Sequence, residues 1–200
     1  MIVGDHGFVP VHSHVNVNAA LLAAGHAKLD AGKIVLSPDL RVAALGGSAA
    51  IYLREGADPD LAVRLESDLR AELDRRYENL VELIPRRELE SMGAFPGAAF
   101  ALASAPGYML IAVDAPVAVL SAGALKGMHG HRPTLPGMAT GFIAAGPGIR
   151  RGLELPVVRQ IDVAPTLAVL MGLPLEQAVG LPIPGLLETS ETGLKNVLGP

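Results

Sequence analysis

The sequence contains no cysteine and no tryptophan, and only 4% of its 200 residues are aromatic. Without cysteine the chain can form neither a disulfide framework nor a thiolate metal site. It also lacks an apolar run of the roughly 18 residues that a membrane helix needs, and its first residues do not form a signal peptide. We therefore expect no membrane segment and, from the sequence as it stands, a cytoplasmic protein.

Strong charge of either sign is also missing. The chain carries 16 basic and 20 acidic residues, for a formal net charge of -4, and they are dispersed rather than gathered into blocks. Because nucleic-acid and membrane-surface binding depend on basic patches, this balance does not support either kind of partner. The sequence does not indicate an oligomeric state.

Small aliphatic residues make up most of the apolar half of the chain. Hydrophobic residues account for 50% of the sequence although aromatic residues are scarce. A core of Ala, Val, Leu and Ile suits parallel strands that are covered by helices on both faces. The length is that of one domain with a substantial core, so we predict an α/β fold.

The first candidate for chemistry lies at the start of the chain. A short apolar strand ends in Gly4, and Asp5, His6 and Gly7 follow. Glycine on either side lets the backbone turn sharply, so that a carboxylate and an imidazole can converge. That ligand mix suits zinc or manganese. The alternative interpretation is a turn capped by Asp5, with an incidental histidine.

A second histidine cluster follows much later in the chain, at His129-Gly130-His131. Together the two clusters, with the strand and turn that come after them, resemble the C-terminal half of the type I phosphodiesterase/nucleotide pyrophosphatase family, in the alkaline phosphatase superfamily. The order and spacing of several short pieces carry the resemblance: Asp5–Phe8, His129–Gly130, Met138, Phe142–Ile143, Gly146–Gly148 and Asp162–Thr166.

The resemblance implies a fold and a domain organisation. It extends from residue 1 to about residue 184 and implies part of a three-layer α/β/α alkaline-phosphatase-like sheet, its C-terminal half. A small inserted α+β region is expected over residues 38–115. Residues 185–200 lose their periodicity and are predicted to form a loosely held tail.

The same resemblance implies hydrolysis of small phosphoric esters at two divalent metal ions, usually zinc. Asp5 and His6 would ligate one metal and His129 the other, while His131 would contact the substrate or support the ligands. Two such cations about 4 Å apart hold the attacking and leaving oxygens in line. Each zinc needs about three protein ligands, more than these residues supply.

The missing ligands and the nucleophile lie upstream of the Asp-His-Gly motif in the family, so they are expected before Met1. The threonines at 134, 140 and 166 are not in the context of that nucleophile, and none is assigned the role. Two alternatives follow: an inactive half-domain that folds poorly or binds a partner through an exposed sheet edge, and a sulfatase or phosphonate hydrolase of the same superfamily.

Other motifs are interpreted as structural. His12 and His14 alternate with apolar residues and predict the solvated face of a strand. Gly46-Gly47-Ser48 lacks the ending of a phosphate loop and predicts a turn. Asn18 is expected to cap a helix over residues 19–24, and Asp162 a helix over residues 163–171. The clearest helix covers residues 58–76.

Overall fold

The computed structural model describes residues 1–121, 123 and 126–188. Its α-helices are α1 (Val17–Ala23), α2 (Leu61–Arg76), α3 (Arg86–Met92) and α4 (Val163–Met171). Its strands are β1 (Ile2–Val3), β2 (Val9–Asn16), β3 (Ala27–Asp30), β4 (Lys33–Leu36), β5 (Leu40–Ala44), β6 (Ser48–Leu53), β7 (Val81–Pro85), β8 (Phe100–Ser104), β9 (Gly107–Ile111), β10 (Val119–Ser121), β11 (Gly127–Met128) and β12 (Phe142–Ile143). Among these residues, no helix has the length and apolar character needed to cross a bilayer.

The chain divides into two compact units. The central unit comprises residues 6–139, and the terminal unit combines residues 1–5 with the chain from residue 140 onward. The boundary passes between the adjacent residues Asp5 and His6. Each unit has apolar clusters of its own.

The largest element of the central unit is a four-stranded antiparallel sheet in the order β5-β6-β8-β7. Helix α2 packs Leu65, Leu69 and Leu73 into the core beside Phe100 of β8. The leucines recur every four residues, which places them on one stripe of the helix. A second cluster, around Leu89 of α3, fills the space on the alanine-rich side of the strands. This sheet with α2 and α3 falls inside the predicted inserted range of 38–115.

Strand β2 is the centre of a second sheet in the same unit. It pairs in parallel with β9 and antiparallel with β10 and β11. Val9, Val11 and Val15 are buried and His12 is exposed, as the alternation predicted. His14 is half-buried and its Nε2 is buried, so the prediction of a solvated face is wrong for His14. Between the strands that the structure describes, the β2–β9 pair is the parallel one and the other ladders are antiparallel. The described strands are therefore mainly antiparallel, in contrast to the parallel strands that the composition led us to expect.

The strand β2 runs directly into helix α1 without a loop. The residue that caps the helix is Asn16, whose side chain accepts a hydrogen bond from the Asn18 N–H. The predicted cap at Asn18 is therefore wrong by two residues. Asn18 lies inside the first turn and is buried, because the helix begins as soon as the strand ends.

The terminal unit is built around a small cluster of Ile149, Ile183 and Leu186. Strand β1 pairs antiparallel with β12. Helix α4 has the predicted bounds and ends at Gly172, which adopts the left-handed conformation with φ of 63°. Residues 185–188 of the predicted tail pack here, with Leu187 bridged to Ile149, and residues 189–200 lie outside the described residues.

Asp162 precedes α4 as predicted, but its side chain does not cap the helix. Its Oδ1 accepts a hydrogen bond from the Leu181 N–H at 3.0 Å instead. The Thr166 hydroxyl donates to the Asp162 carbonyl oxygen and accepts from the Ile183 N–H. Asp162 is thus structural, as expected, but it ties the loop around residue 181 to the helix. Thr166 is fully buried.

Candidate metal centre

The segment that carries His6, just before β2, packs closely against the backbone of residues 137 and 138. The Gly7 N–H donates to the Met138 carbonyl oxygen at 3.0 Å. A methyl group on Gly7 would overlap the Gly137 carbonyl oxygen, so only glycine allows the two chain segments to approach this closely. The glycine after the Asp-His pair is therefore required by packing within the central unit.

Strand β11 brings His129 close to the segment that carries His6. Strand β11 pairs Met128 with Val9, so the next residue, His129, comes beside Phe8. The carbonyl oxygen of His129 accepts a hydrogen bond from the Gly47 N–H at 2.8 Å. Residues that are more than 120 positions apart in sequence thus become neighbours because one short antiparallel ladder joins them.

The imidazole rings of His6 and His129 stack on each other. Their centroids are 4.4 Å apart and their planes differ by 20°. Phe8 contacts both rings by its edge, with centroids at 5.2 Å from His6 and 5.8 Å from His129. All three rings belong to the central unit. The two histidines that the sequence singled out as ligands are therefore brought together.

A local contact orients the His6 ring. Nδ1 lies 3.2 Å from the Gly7 carbonyl oxygen, and since a carbonyl oxygen only accepts, Nδ1 is the donor. This favours the tautomer that carries its lone pair on Nε2, a nitrogen that commonly ligates metal ions. The stacked partner His129 is half-buried like His6.

Asp5 belongs to the terminal unit and is exposed. Its backbone is held by Gln160, whose side-chain Nε2 donates to the Asp5 carbonyl oxygen at 2.7 Å. The sequence did not single out Gln160. Its only signal is its position two residues before Asp162, which does not distinguish it from other polar residues.

The residues that the structure describes do not form a complete set of metal ligands. Among them, no group of three or more His, Cys, Asp or Glu side chains lies close enough together to hold a metal ion. Zinc takes about three protein ligands even at a catalytic site. The paired imidazoles are chemically suited to zinc, but further ligands would be needed to complete a site.

No family model matches this chain, and no curated protein matches its sequence. The functional interpretation therefore depends on the residues themselves.

His131 is buried, with 5% of its surface exposed. Its Nε2 donates to the Tyr108 carbonyl oxygen at 2.8 Å, while Nδ1 is buried without a hydrogen-bond partner. The ring lies against Gly47, where an added methyl group would overlap it. Such burial favours a role in supporting His129 over a direct contact with a substrate.

Arg132, which the sequence analysis overlooked, fixes the end of the same segment. Its guanidinium group forms a two-pronged ion pair with Glu82 of β7, at 2.7 and 2.8 Å, and a third hydrogen bond with Glu88 of α3 at 2.7 Å. The hydrogen bonds that the guanidinium group donates to Glu82 and Glu88 raise the pKa of Arg132 above its usual range. An arginine directly after two histidines was the available signal.

His12 and His14 lie away from the stacked pair on β2. His12 is exposed and meets the Tyr108 ring by its edge at 5.0 Å, and its Nδ1 lies 3.0 Å from the Ser13 hydroxyl. His14 is half-buried. Neither belongs to a metal-binding group among the described residues.

Proposed function

We propose that this chain contributes to metal-dependent hydrolysis of small phosphoric esters, of the phosphodiesterase/nucleotide pyrophosphatase type. Asp5 and His6 are proposed to ligate one of two divalent metal ions, zinc for preference, and His129 the other. The other ligands and the nucleophile are not assigned to any described residue. His131 is proposed to hold His129 in position.

The single observation that carries this proposal is the stacking of His6 on His129 at 4.4 Å. The two rings come from the two separate motifs that resemble the metal motifs of the family. An incidental histidine in a turn would have no reason to meet the second histidine cluster. Two parallel rings at this spacing can present nitrogen atoms to two neighbouring cations.

Metal ions at such a centre would polarise the phosphoryl group and stabilise the charge that develops on its oxygens. The described residues would hold and orient the ligands. Gly7 fixes the backbone after His6, and Gly47 fixes the carbonyl group of His129. The edge contacts of Phe8 restrict both rings and cover them on one side.

The test is a titration of the full chain with Co²⁺, whose absorption spectrum reports the number and type of ligands, followed by competition with Zn²⁺. We expect His6→Ala and His129→Ala each to weaken binding, since each removes one nitrogen ligand. His12→Ala is the matched control, because that histidine is exposed and outside the pair. Equal Co²⁺ binding by all four proteins would contradict the proposal.

Activity is tested with bis(p-nitrophenyl) phosphate, beside p-nitrophenyl sulfate and a phosphonate monoester. Turnover of the phosphodiester that depends on added metal and on His129 would support the proposed reaction class. Preference for the sulfate or the phosphonate would assign the chain to the alternative hydrolase class. No turnover by a chain that nevertheless binds metal would mean that this chain supplies metal ligands but no nucleophile.

A second candidate function is binding of a partner protein, and helix α4 favours it. Its sequence is apolar on all sides except for Thr166, a composition typical of helices that are buried all round. Yet Met171 is 66% exposed, and Leu167, Leu170 and Leu173 are also exposed. Exposed apolar surface of this kind is typical of an interface.

Self-association through α4 is tested by light scattering of the purified chain. If α4 serves an interface between copies, we expect a mass above that of one chain, and Met171→Lys should return it to one chain. A chain that stays monomeric at all concentrations, with or without the substitution, would remove self-association as the function of this helix.

A further inference from the structure

The Gly46-Gly47-Ser48 turn contacts the backbone of His129, since the Gly47 N–H donates to the His129 carbonyl oxygen. The Gly46 carbonyl oxygen accepts from the Leu110 N–H at 2.7 Å, and the Gly47 carbonyl oxygen accepts from the Ser104 N–H at 2.9 Å. These bonds tie the turn to β9 and to the end of β8. The position of the turn in the central unit is therefore set by backbone hydrogen bonds.

The segment from His129 to His131 packs directly against Gly47, with no side chain between them. The Gly47 N–H donates to the His129 carbonyl oxygen, and a methyl group on Gly47 would overlap both the ring and the backbone nitrogen of His131. Gly47 does not adopt a left-handed conformation, so alanine is excluded by the close approach alone.

His131 holds the C-terminal end of the segment 129–131 in place. Its buried ring fills the space above Gly47 and donates from Nε2 to the Tyr108 carbonyl oxygen at 2.8 Å. Because Nδ1 has no partner, this one hydrogen bond orients the ring. The position of the His129 backbone is thus set by a hydrogen bond to Gly47 and by the anchored ring two residues later.

We propose that Gly47 and His131 are positioning residues for the candidate metal centre: together they set the backbone of His129 so that its ring stacks on His6. Their role as positioning residues depends on the proposed function, whereas the geometry they impose is a property of the chain itself. Neither residue would contact metal or substrate.

The geometry is measured on the full chain by NMR with ¹³C-labelled histidine, through the nuclear Overhauser effect between the ring protons of His6 and His129. We expect this effect in the wild type and its loss in Gly47→Ala. Gly141→Ala is the matched control, since that glycine also avoids the left-handed conformation and has open space around its Cα. It should keep the effect.

The anchoring hydrogen bond is tested by two substitutions at His131. His131→Gln keeps an N–H donor for the Tyr108 carbonyl group and should retain the ring-to-ring effect, whereas His131→Leu should lose it. Leu89→Ala destabilises the same unit from its other cluster and should leave the effect unchanged. This comparison separates positioning from general loss of stability, and it decides the question if Gly47→Ala does not fold.

The inference is overturned if the wild type lacks the effect, or if folded Gly47→Ala and His131→Leu both retain it. A Co²⁺ titration of the same proteins then addresses the proposed function. We expect His131→Leu to weaken binding by about 10- to 100-fold, the range seen when groups that support a metal ligand are lost. If the wild type keeps its stacked rings but binds no Co²⁺, the proposed function fails, while the geometry that Gly47 and His131 impose on His129 stands.

Discussion

Asn16 offers the sharpest test of how the central unit is held together. Its side chain is fully buried where β2 passes into α1, and it makes four hydrogen bonds. Nδ2 donates to the carbonyl oxygens of Val113 and Ala115 at 3.1 and 2.8 Å, and Oδ1 accepts from the N–H groups of Asn18 and Val113, both at 3.2 Å. One side chain therefore caps a helix and also holds a loop about 100 residues away.

The substitution Asn16→Ala removes all four bonds. Loss of a helix cap costs about 1 kcal/mol. The remaining bonds are worth about 0.5–1.5 kcal/mol each, at the low end here because Val113 is 37% exposed and water can replace part of the loss. We expect a decrease of about 2–3 kcal/mol in the free energy of unfolding. Urea unfolding followed by far-UV circular dichroism measures it.

Asn18→Ala is the matched control. Asn18 is buried two residues further on, and its Oδ1 has no hydrogen-bond partner. Since alanine is the better helix former, this variant should be neutral or slightly more stable than the wild type. If Asn18→Ala costs as much as Asn16→Ala, the account of Asn16 as both cap and anchor is wrong.

Three further predictions concern other parts of the central unit. Burial raises the pKa of Tyr77, with a contribution from the charge of Glu72, so the stability that its neutral form provides should be lost above about pH 10. Urea unfolding across that range should show a smaller loss for Tyr77→Phe; equal losses would contradict it. Arg132→Met should cost about 1–2 kcal/mol, and less in about 0.5 M salt, because the guanidinium group is 25% exposed. A cost independent of salt would argue against ion pairing. Gly7→Ala should cost about 1–3 kcal/mol by thermal unfolding, since its methyl group would meet the Gly137 carbonyl oxygen; an unchanged melting temperature would refute the close contact.

The helices were the part of the fold that the sequence predicted best. The bounds of α4 agree with the predicted ones, because Gly172 ends this helix in the left-handed conformation. Helix α2 starts at Leu61 rather than at residue 58, since the Asp58 side chain accepts from the Asp60 N–H and forms a turn ahead of the helix. Local chemistry of this kind is visible in a sequence.

The pairing of strands was harder to predict, since it depends on partners that are distant in sequence. Alternation of apolar residues indicated β2, but nothing in it specified a parallel neighbour on one side and antiparallel neighbours on the other. Similarly, the motifs singled out His6 and His129, and the structure brings their rings together. The contributions of Gly47 and Arg132 were missed because they act through tertiary contacts that leave no local pattern.

The contact between the Gly46-Gly47 turn and the segment from His129 also has a consequence for which substitutions the protein tolerates. The backbone of the turn packs directly against the backbone of residues 129–131, and a methyl group on Gly130 would overlap the Leu45 carbonyl oxygen. A side chain in a core can adopt another rotamer when its neighbour changes, whereas two strands of main chain cannot yield in this way. In a saturation mutagenesis screen, we therefore expect positions 47 and 130 to accept almost nothing but glycine, although neither would touch a ligand.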